Sequence, residues 1–273
     1  MTAYLAVTGV ILVVGASRVD SIALLLHGGL LAVVAACTWW RRVPAWLRNW
    51  IPVIAIPILY AEAPNIIAAA GHVTMQDAAI VRLELWMFGG NPSSGLALAW
   101  PWASLSELLH ASYLSYYALI LSVPAALQQA GRQRDFSRAV FTLLLTFTVC
   151  FLIFVAFPVE GPRYRGGADA PHGMVRAATL WLLENGSSRG TAFPSSHVAV
   201  AVTQTILAMY FFGARGAWLA LVTTGLALGA VYGGFHYAVD VVAGALLGAM
   251  TAWLGLSLSG DRRRAQANAT APT

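Results

Sequence analysis

Three short polar islands interrupt an otherwise apolar sequence. Thr191-Ala-Phe-Pro-Ser-Ser-His197 and Val231-Tyr-Gly-Gly-Phe-His236-Tyr-Ala-Val-Asp240 each open a long apolar run. Phe157-Pro-Val-Glu-Gly-Pro-Arg163-Tyr-Arg165 closes another. His236 and Asp240 stand four residues apart at the opening of an expected helix, which puts both side chains on one face. A carboxylate bonded to one imidazole nitrogen fixes the tautomer and leaves the other nitrogen free as a nucleophile. Asp240 lies about a turn inside an apolar run, where an ionisable group needs a partner, and His236 can be that partner. His197 follows Pro194, Ser195 and Ser196. Backbone N–H groups at a helix N-terminus, with serine hydroxyls, suit a phosphate oxyanion. Arg163 would add a planar donor fork. Each group has a plainer reading when taken alone: a polar loop histidine, a satisfied buried pair, a lipid-anchoring arginine. The argument for a reaction centre is that they fall together.

Composition says what must hold these groups. Of 273 residues, 59% are hydrophobic and 10% charged, against about 25% charged in soluble domains. The chain is expected to be an all-α integral membrane protein. The formal charge is +5, and every basic residue is arginine. The arginines are scattered between apolar runs, which fits inside loops of a membrane protein better than a nucleic-acid surface, so no nucleic-acid partner is expected. Cys37 and Cys150 lie inside apolar runs and suggest no disulfide. No basic region precedes the first apolar run, and no cleavable signal is expected.

A membrane-crossing helix needs roughly 20 apolar residues. On that measure eight candidate spans lie near 3–17, 21–39, 50–70, 105–128, 137–157, 196–213, 216–234 and 238–258. Arg41, Arg42 and Arg48, then Arg132, Arg134 and Arg138, then Arg215, then Arg262, Arg263 and Arg264 fall in alternate connections or after the last span. Eight spans put all of them on one side, which the positive-inside rule makes cytoplasmic, with both termini. The connection 158–195 and the turn at 234–237 then face outside, and Arg163, His197 and His236 meet at the outer face. Trp39, Trp40, Trp46 and Trp50 form an interfacial belt with the neighbouring arginines. Segment 72–90 mixes Asp77, Arg82 and Glu84 with Ile80, Leu83 and Trp86, and is expected to lie as an amphipathic helix at the outer surface. Gly225, Gly229 and Gly233, and Gly244 and Gly248, form small faces for close helix packing.

Pro194-Ser-Ser-His197, His236-Tyr-Ala-Val-Asp240 and Gly161-Pro-Arg163, in this order and spacing, resemble the three motifs of the type 2 phosphatidic acid phosphatase superfamily. The resemblance covers residues 50–258 as a six-helix catalytic core. Residues 1–49 would then add two N-terminal transmembrane helices and an interfacial loop, and 259–273 a disordered cytoplasmic tail. It implies that His236 attacks phosphorus and forms a phosphohistidine, that Asp240 orients it, and that His197 protonates the leaving oxygen and then activates the acceptor. Arg163, Ser195 and Ser196 would hold the phosphate oxygens. No metal and no cofactor is implied. The sequence departs from the pattern twice: Ala156 stands where the first motif's lysine is usual, and Gly229-Ala230 where the third motif has Ser-Arg. Arg165 and Arg189 are the candidates to replace these cations. The stretch Tyr232-Gly-Gly-Phe-His236-Tyr-Ala-Val-Asp240, with Glu84-Leu-Trp-Met-Phe-Gly-Gly-Asn-Pro92, is similar to the branch containing inositol phosphorylceramide synthase.

The expected activity is therefore that of a multi-pass cell-membrane lipid phosphatase acting on lipid phosphates or diphosphates at the outer face. A headgroup phosphotransferase with a lipid-alcohol acceptor is the alternative. A transporter, with Glu62 as an intramembrane polar group, and a catalytically dead relative are further readings. The lipid, the acceptor and the oligomeric state stay open, and His27, His72 and His110 receive no role.

Overall fold

A computed structural model describes residues 1–39, 43–166 and 170–269. The described chain is helical, with one isolated bridge and no strand. In order the helices are α1 (Thr2–Val14), α2 (Ser21–Trp39), α3 (Ala45–Ile54), α4 (Ile56–Ala69), α5 (Asp77–Phe88), α6 (Pro92–Ala99), α7 (Ala103–Leu114), α8 (Tyr116–Gln129), α9 (Gln133–Ala156), α10 (Met174–Gly186), α11 (Ser196–Phe212), α12 (Trp218–Tyr232) and α13 (Ala238–Ala269). Trp40, Arg41 and Arg42 of the expected aromatic and basic belt lie outside the described residues, as does the expected tail beyond Ala269.

Helices occur at all eight places where spans were expected. Four are long and apolar enough to cross a membrane: Trp46–Ala69, Gln133–Ala156, Ser196–Gly216 and Ala238–Ser259. A fifth crossing results if α7 and α8, bent by 41° at Ser115, count as one span. These are the marks of a multi-pass membrane protein. Shorter apolar helices are Thr2–Val14, Ser21–Cys37 and Trp218–Tyr232. At about 1.5 Å per residue, the 13 residues of α1 cover about 20 Å, less than the roughly 30 Å hydrocarbon thickness.

The centre of the bundle is α9, α11 and α13. Their shared face carries small and hydroxylated residues rather than large apolar ones. Thr146 on α9 meets Thr203 of α11 at 3.0 Å and Thr251 of α13 at 2.8 Å, hydroxyl to hydroxyl. Gly244 and Gly248 let α13 approach the Ser195 and Ala199 carbonyls so closely that a Cβ would lie 2.5 and 2.2 Å from those oxygens. In an apolar surround, such contacts replace the hydrophobic drive that lipid does not supply. A second accommodation is made at Pro124 in α8. Proline lacks the N–H that would bond the Ile120 carbonyl one turn back, and the Gln204 side-chain amide of α11 donates to that carbonyl instead.

The N-terminal helices are fastened to the core by one polar cluster. His27 on α2 places Nδ1 2.9 Å from the Glu62 carboxylate on α4, and Nε2 2.9 Å from the Leu5 carbonyl of α1. Both side chains are buried. The connection expected over 158–195 contains α10, whose first N–H groups, from Val175 and Arg176, are accepted by Glu107 of α7 at 2.9 and 3.0 Å.

Helix α5 occurs in the segment expected to form an amphipathic helix. Asp77 and Glu84 are buried, at 0% and 1% exposure, while Leu85 and Trp86 are exposed at 52% and 81%. Interleaved charges define a helix face without saying what that face meets. Here Asp77, Ile80 and Glu84 meet protein, while Arg82, Leu85 and Trp86 point outward.

Gly248→Ala tests the packing argument. Overpacking of this kind costs about 1–3 kcal/mol, so the variant is expected to melt earlier than wild type in a thermal scan in detergent. An unchanged midpoint would show that α11 and α13 separate freely.

Candidate active site

Two loops and a helix start converge at one end of the bundle. The segment after α9 runs beside the segment before α11: Val159 and Thr191 form a parallel bridge, and the Ala192 N–H donates to the Val159 carbonyl at 2.9 Å. This places Arg163, in a short 3-10 turn over Pro162–Arg165, near the start of α11. Gly161, at φ 94°, makes the turn possible, and its bare Cα faces the Ala192 methyl, which a Cβ would approach to 3.0 Å. On the other side the Ser195 N–H donates to the Asp240 carbonyl at 3.0 Å, which ties the start of α11 to α13.

His197 and His236 meet with ring centroids 5.7 Å apart. Both line one cleft together with Arg163. The fold thus brings together three residues that are far apart in sequence. His197 lies between aromatic rings, 5.0 Å from Tyr113 and 4.1 Å from Tyr116, centroid to centroid. Its Nδ1 is buried and has no hydrogen-bond partner among the described residues. The stacked rings fix the imidazole plane by packing.

His236 is held differently from the expected arrangement. Its Nδ1 lies 3.0 Å from the Ala192 carbonyl, which can only accept, so Nδ1 carries the proton and Nε2 is the free nitrogen. Asp240 Oδ2 stands 3.6 Å from the same nitrogen, beyond hydrogen-bond range, and accepts the Tyr237 N–H at 2.9 Å. The carboxylate is fully buried. It therefore acts on His236 through its charge and through the shape of the Tyr237 turn, while the backbone selects the tautomer.

The remaining predicted residues are placed as follows. Ser195 and Ser196 are buried and do not line the cleft. The Ser195 hydroxyl caps α11 by accepting the Val198 N–H at 3.4 Å. Arg189 pairs with Glu160 and lies 5.2 Å from the Tyr164 ring. Arg165 Nε is 3.5 Å from Asp77. Arg163 stacks on Tyr164 at 4.8 Å and has no carboxylate partner among the described residues. Neither Arg165 nor Arg189 lines the cleft.

Sequence reasoning missed Tyr60, Tyr113, Ser187, Ser188 and Thr191, which line the cleft as well. Thr191 donates to the Ser188 carbonyl at 2.6 Å and lies 2.9 Å from the Tyr60 hydroxyl. Tyr60 sits in an apolar helix, where nothing in the local pattern marks it. Asp77 and Glu84 were seen, but not as supports of the site. Asp77 accepts the Glu160 and Gly161 N–H groups at 3.0 and 2.9 Å and the Tyr237 hydroxyl at 3.2 Å. Glu84 accepts the Ala238 and Val239 N–H groups at the start of α13. Burial pushes the Glu84 carboxyl above its ordinary value, the two N–H donors pull it back, and nearby Asp240 adds to the rise.

The PAP2 superfamily model matches residues 78–254. The chain belongs to the PAP2 superfamily, whose members are phosphoesterases of the phosphatase and phosphotransferase type. Neither curated proteins nor solved structures gave a match.

The packing also explains the missing third-motif cation. A Cβ on Gly229 would lie 2.3 Å from the Leu109 carbonyl. Ala230 is fully buried and packs with Tyr113, Leu183 and Phe235. Ala230→Arg is therefore expected to bury an unpaired guanidinium, at a cost of several kcal/mol, and to lose folded protein from the membrane fraction. Accumulation at wild-type level with higher activity would show that the site does accept a cation there.

Proposed function

We propose that the protein is a membrane lipid phosphoesterase that works through a phosphohistidine at the outer face. The observation that carries this is the convergence of His236, His197 and Arg163 on one cleft. His236 Nε2 attacks phosphorus, and the bond from phosphorus to the leaving oxygen breaks as His197 gives that oxygen a proton. In the second half, His197 takes a proton from the acceptor, whose oxygen displaces His236 from phosphorus. Arg163 stabilises charge on the equatorial oxygens. Asp240 supports the positive charge that develops on His236. A lipid phosphate is the natural substrate of a site in a chain with these apolar helices, and water as acceptor makes the enzyme a phosphatase.

A second reading is favoured by one specific observation. Arg189 is paired with Glu160 and Arg165 with Asp77. Much of the local positive charge is thus already balanced, which suits a singly charged phosphodiester better than a dianionic monoester. A diester donor with a lipid-alcohol acceptor would make the protein a headgroup transferase. Transport has less support, since Glu62 is engaged by His27 rather than turned toward a path.

The test is turnover of purified phospholipids, lipid monophosphates and lipid diphosphates, with and without a lipid alcohol. His236→Ala is expected to lose about 10³-fold or more, and wild type quenched in alkali is expected to retain phosphorus on histidine. Free phosphate as product supports the phosphatase, and a new lipid diester supports the transferase. Undiminished turnover by His236→Ala would falsify the mechanism.

A further inference from the structure

We infer that Asp77 is a positioning residue: it sets the distance between the phosphate-binding arginine and the nucleophilic histidine. The inference rests on the catalytic reading just given. Asp77 opens α5, outside the three motif segments, and is fully buried. One of its oxygens receives the Gly161 N–H at 2.9 Å and the Tyr237 hydroxyl at 3.2 Å, while the other receives the Glu160 N–H at 3.0 Å. Gly161 lies two residues before Arg163, and Tyr237 directly follows His236. A single carboxylate thus joins the loop that carries the guanidinium to the turn that carries the imidazole. Arg165, from the far side of the same loop, approaches it at 3.5 Å.

The chemistry requires a carboxylate here. All three close partners are donors, and an ionised carboxylate is the side chain with two oxygens that only accept. An amide of equal size can keep its oxygen on the Gly161 N–H and the Tyr237 hydroxyl, but then sets an NH₂ against the Glu160 N–H, and the loop that carries Arg163 must shift. Helix α5 keeps the carboxylate in register by a second, independent attachment, since Glu84 two turns further on accepts the Ala238 and Val239 N–H groups. The α5 helix is thereby pinned to the segment 237–239 at two points, and Asp77, beside the Gln76 N–H that donates to the Pro158 carbonyl at 2.8 Å, extends that grip to the Arg163 loop.

A positioning role predicts a different kinetic signature from a merely structural one. Misplacement of a charge-stabilising group by about 1 Å costs on the order of 10²-fold in turnover, whereas a destabilised but correctly built site loses active protein without changing the turnover of what remains. The experiment measures kcat and KM per folded molecule for Asp77→Asn, with orthovanadate inhibition as a probe of transition-state geometry. The expected result is folded protein with kcat lower by about 10²-fold, KM within a few-fold of wild type, and vanadate inhibition weakened in step with kcat. A kcat within about twofold of wild type, with unchanged vanadate inhibition, overturns the proposal. If Asp77→Asn does not fold, Tyr237→Phe decides: it deletes one hydroxyl, and kcat is expected to fall by about 3–10-fold, whereas an unchanged kcat overturns the proposal. His236→Ala, run in parallel, separates the two levels. Activity that survives His236→Ala sinks the catalytic reading itself, while activity lost in His236→Ala but kept in Asp77→Asn sinks only the positioning role.

Discussion

Where water is scarce, a carboxylate that accepts backbone N–H groups or meets an imidazole is a strong fastening, and this chain relies on that interaction. Asp77, Glu84, Glu107 and Glu62 each sit where backbone N–H groups, or an imidazole, would otherwise lack a partner. Two of them grip loops around the cleft, one starts α10, and one holds the N-terminal helices. In a bundle whose exterior is apolar, burying one more leucine adds little. An unmet N–H group costs much more, so a few acceptors at helix starts and loop ends do the holding.

The same scarcity of water shapes the electrostatics of the cleft. Arg189 and Arg165, near the site, are matched with Glu160 and Asp77, and these pairs balance charge that a phosphate would otherwise meet. His197 is set by aromatic stacking and His236 by a carbonyl, neither of which brings charge. The site therefore gains its directionality from shape and hydrogen bonding. Its net positive charge comes mainly from Arg163, a simpler arrangement than the three-motif pattern implies.

What the sequence revealed and what it hid follow from the range of the interactions. His197, His236 and Arg163 were legible because each stands in a local setting of Pro, Gly and Ser that marks a turn at the end of an apolar run. Apolar length marked the helices, and small-residue spacing marked the close approach of Gly244 and Gly248. Tyr60 could not be found this way, because a tyrosine in an apolar helix looks the same whether it faces lipid or a cleft. That Asp77 and Glu84 of helix α5 support the site could not be read, because periodicity gives two faces and says nothing of what each one meets. Asp240 was paired with His236 by spacing alone, and the competing Ala192 carbonyl lies 44 positions away in sequence. Helix α10 was taken as loop, since its start depends on a carboxylate from α7 rather than on a local cap.

The clasp between His27 and Glu62 bears on how the protein is made. A charged residue at the centre of an inserting helix is penalised by about 2.5–3.5 kcal/mol on insertion scales. Helices α1 and α2 leave the ribosome before α4, so the imidazole that meets Glu62, and the Leu5 carbonyl that steadies it, are already synthesised when the carboxylate emerges. The order of the chain thus supplies the counterpart first. The N-terminal pair precedes in the chain the carboxylate it holds, and the segment that carries that carboxylate also brings Tyr60 to the cleft.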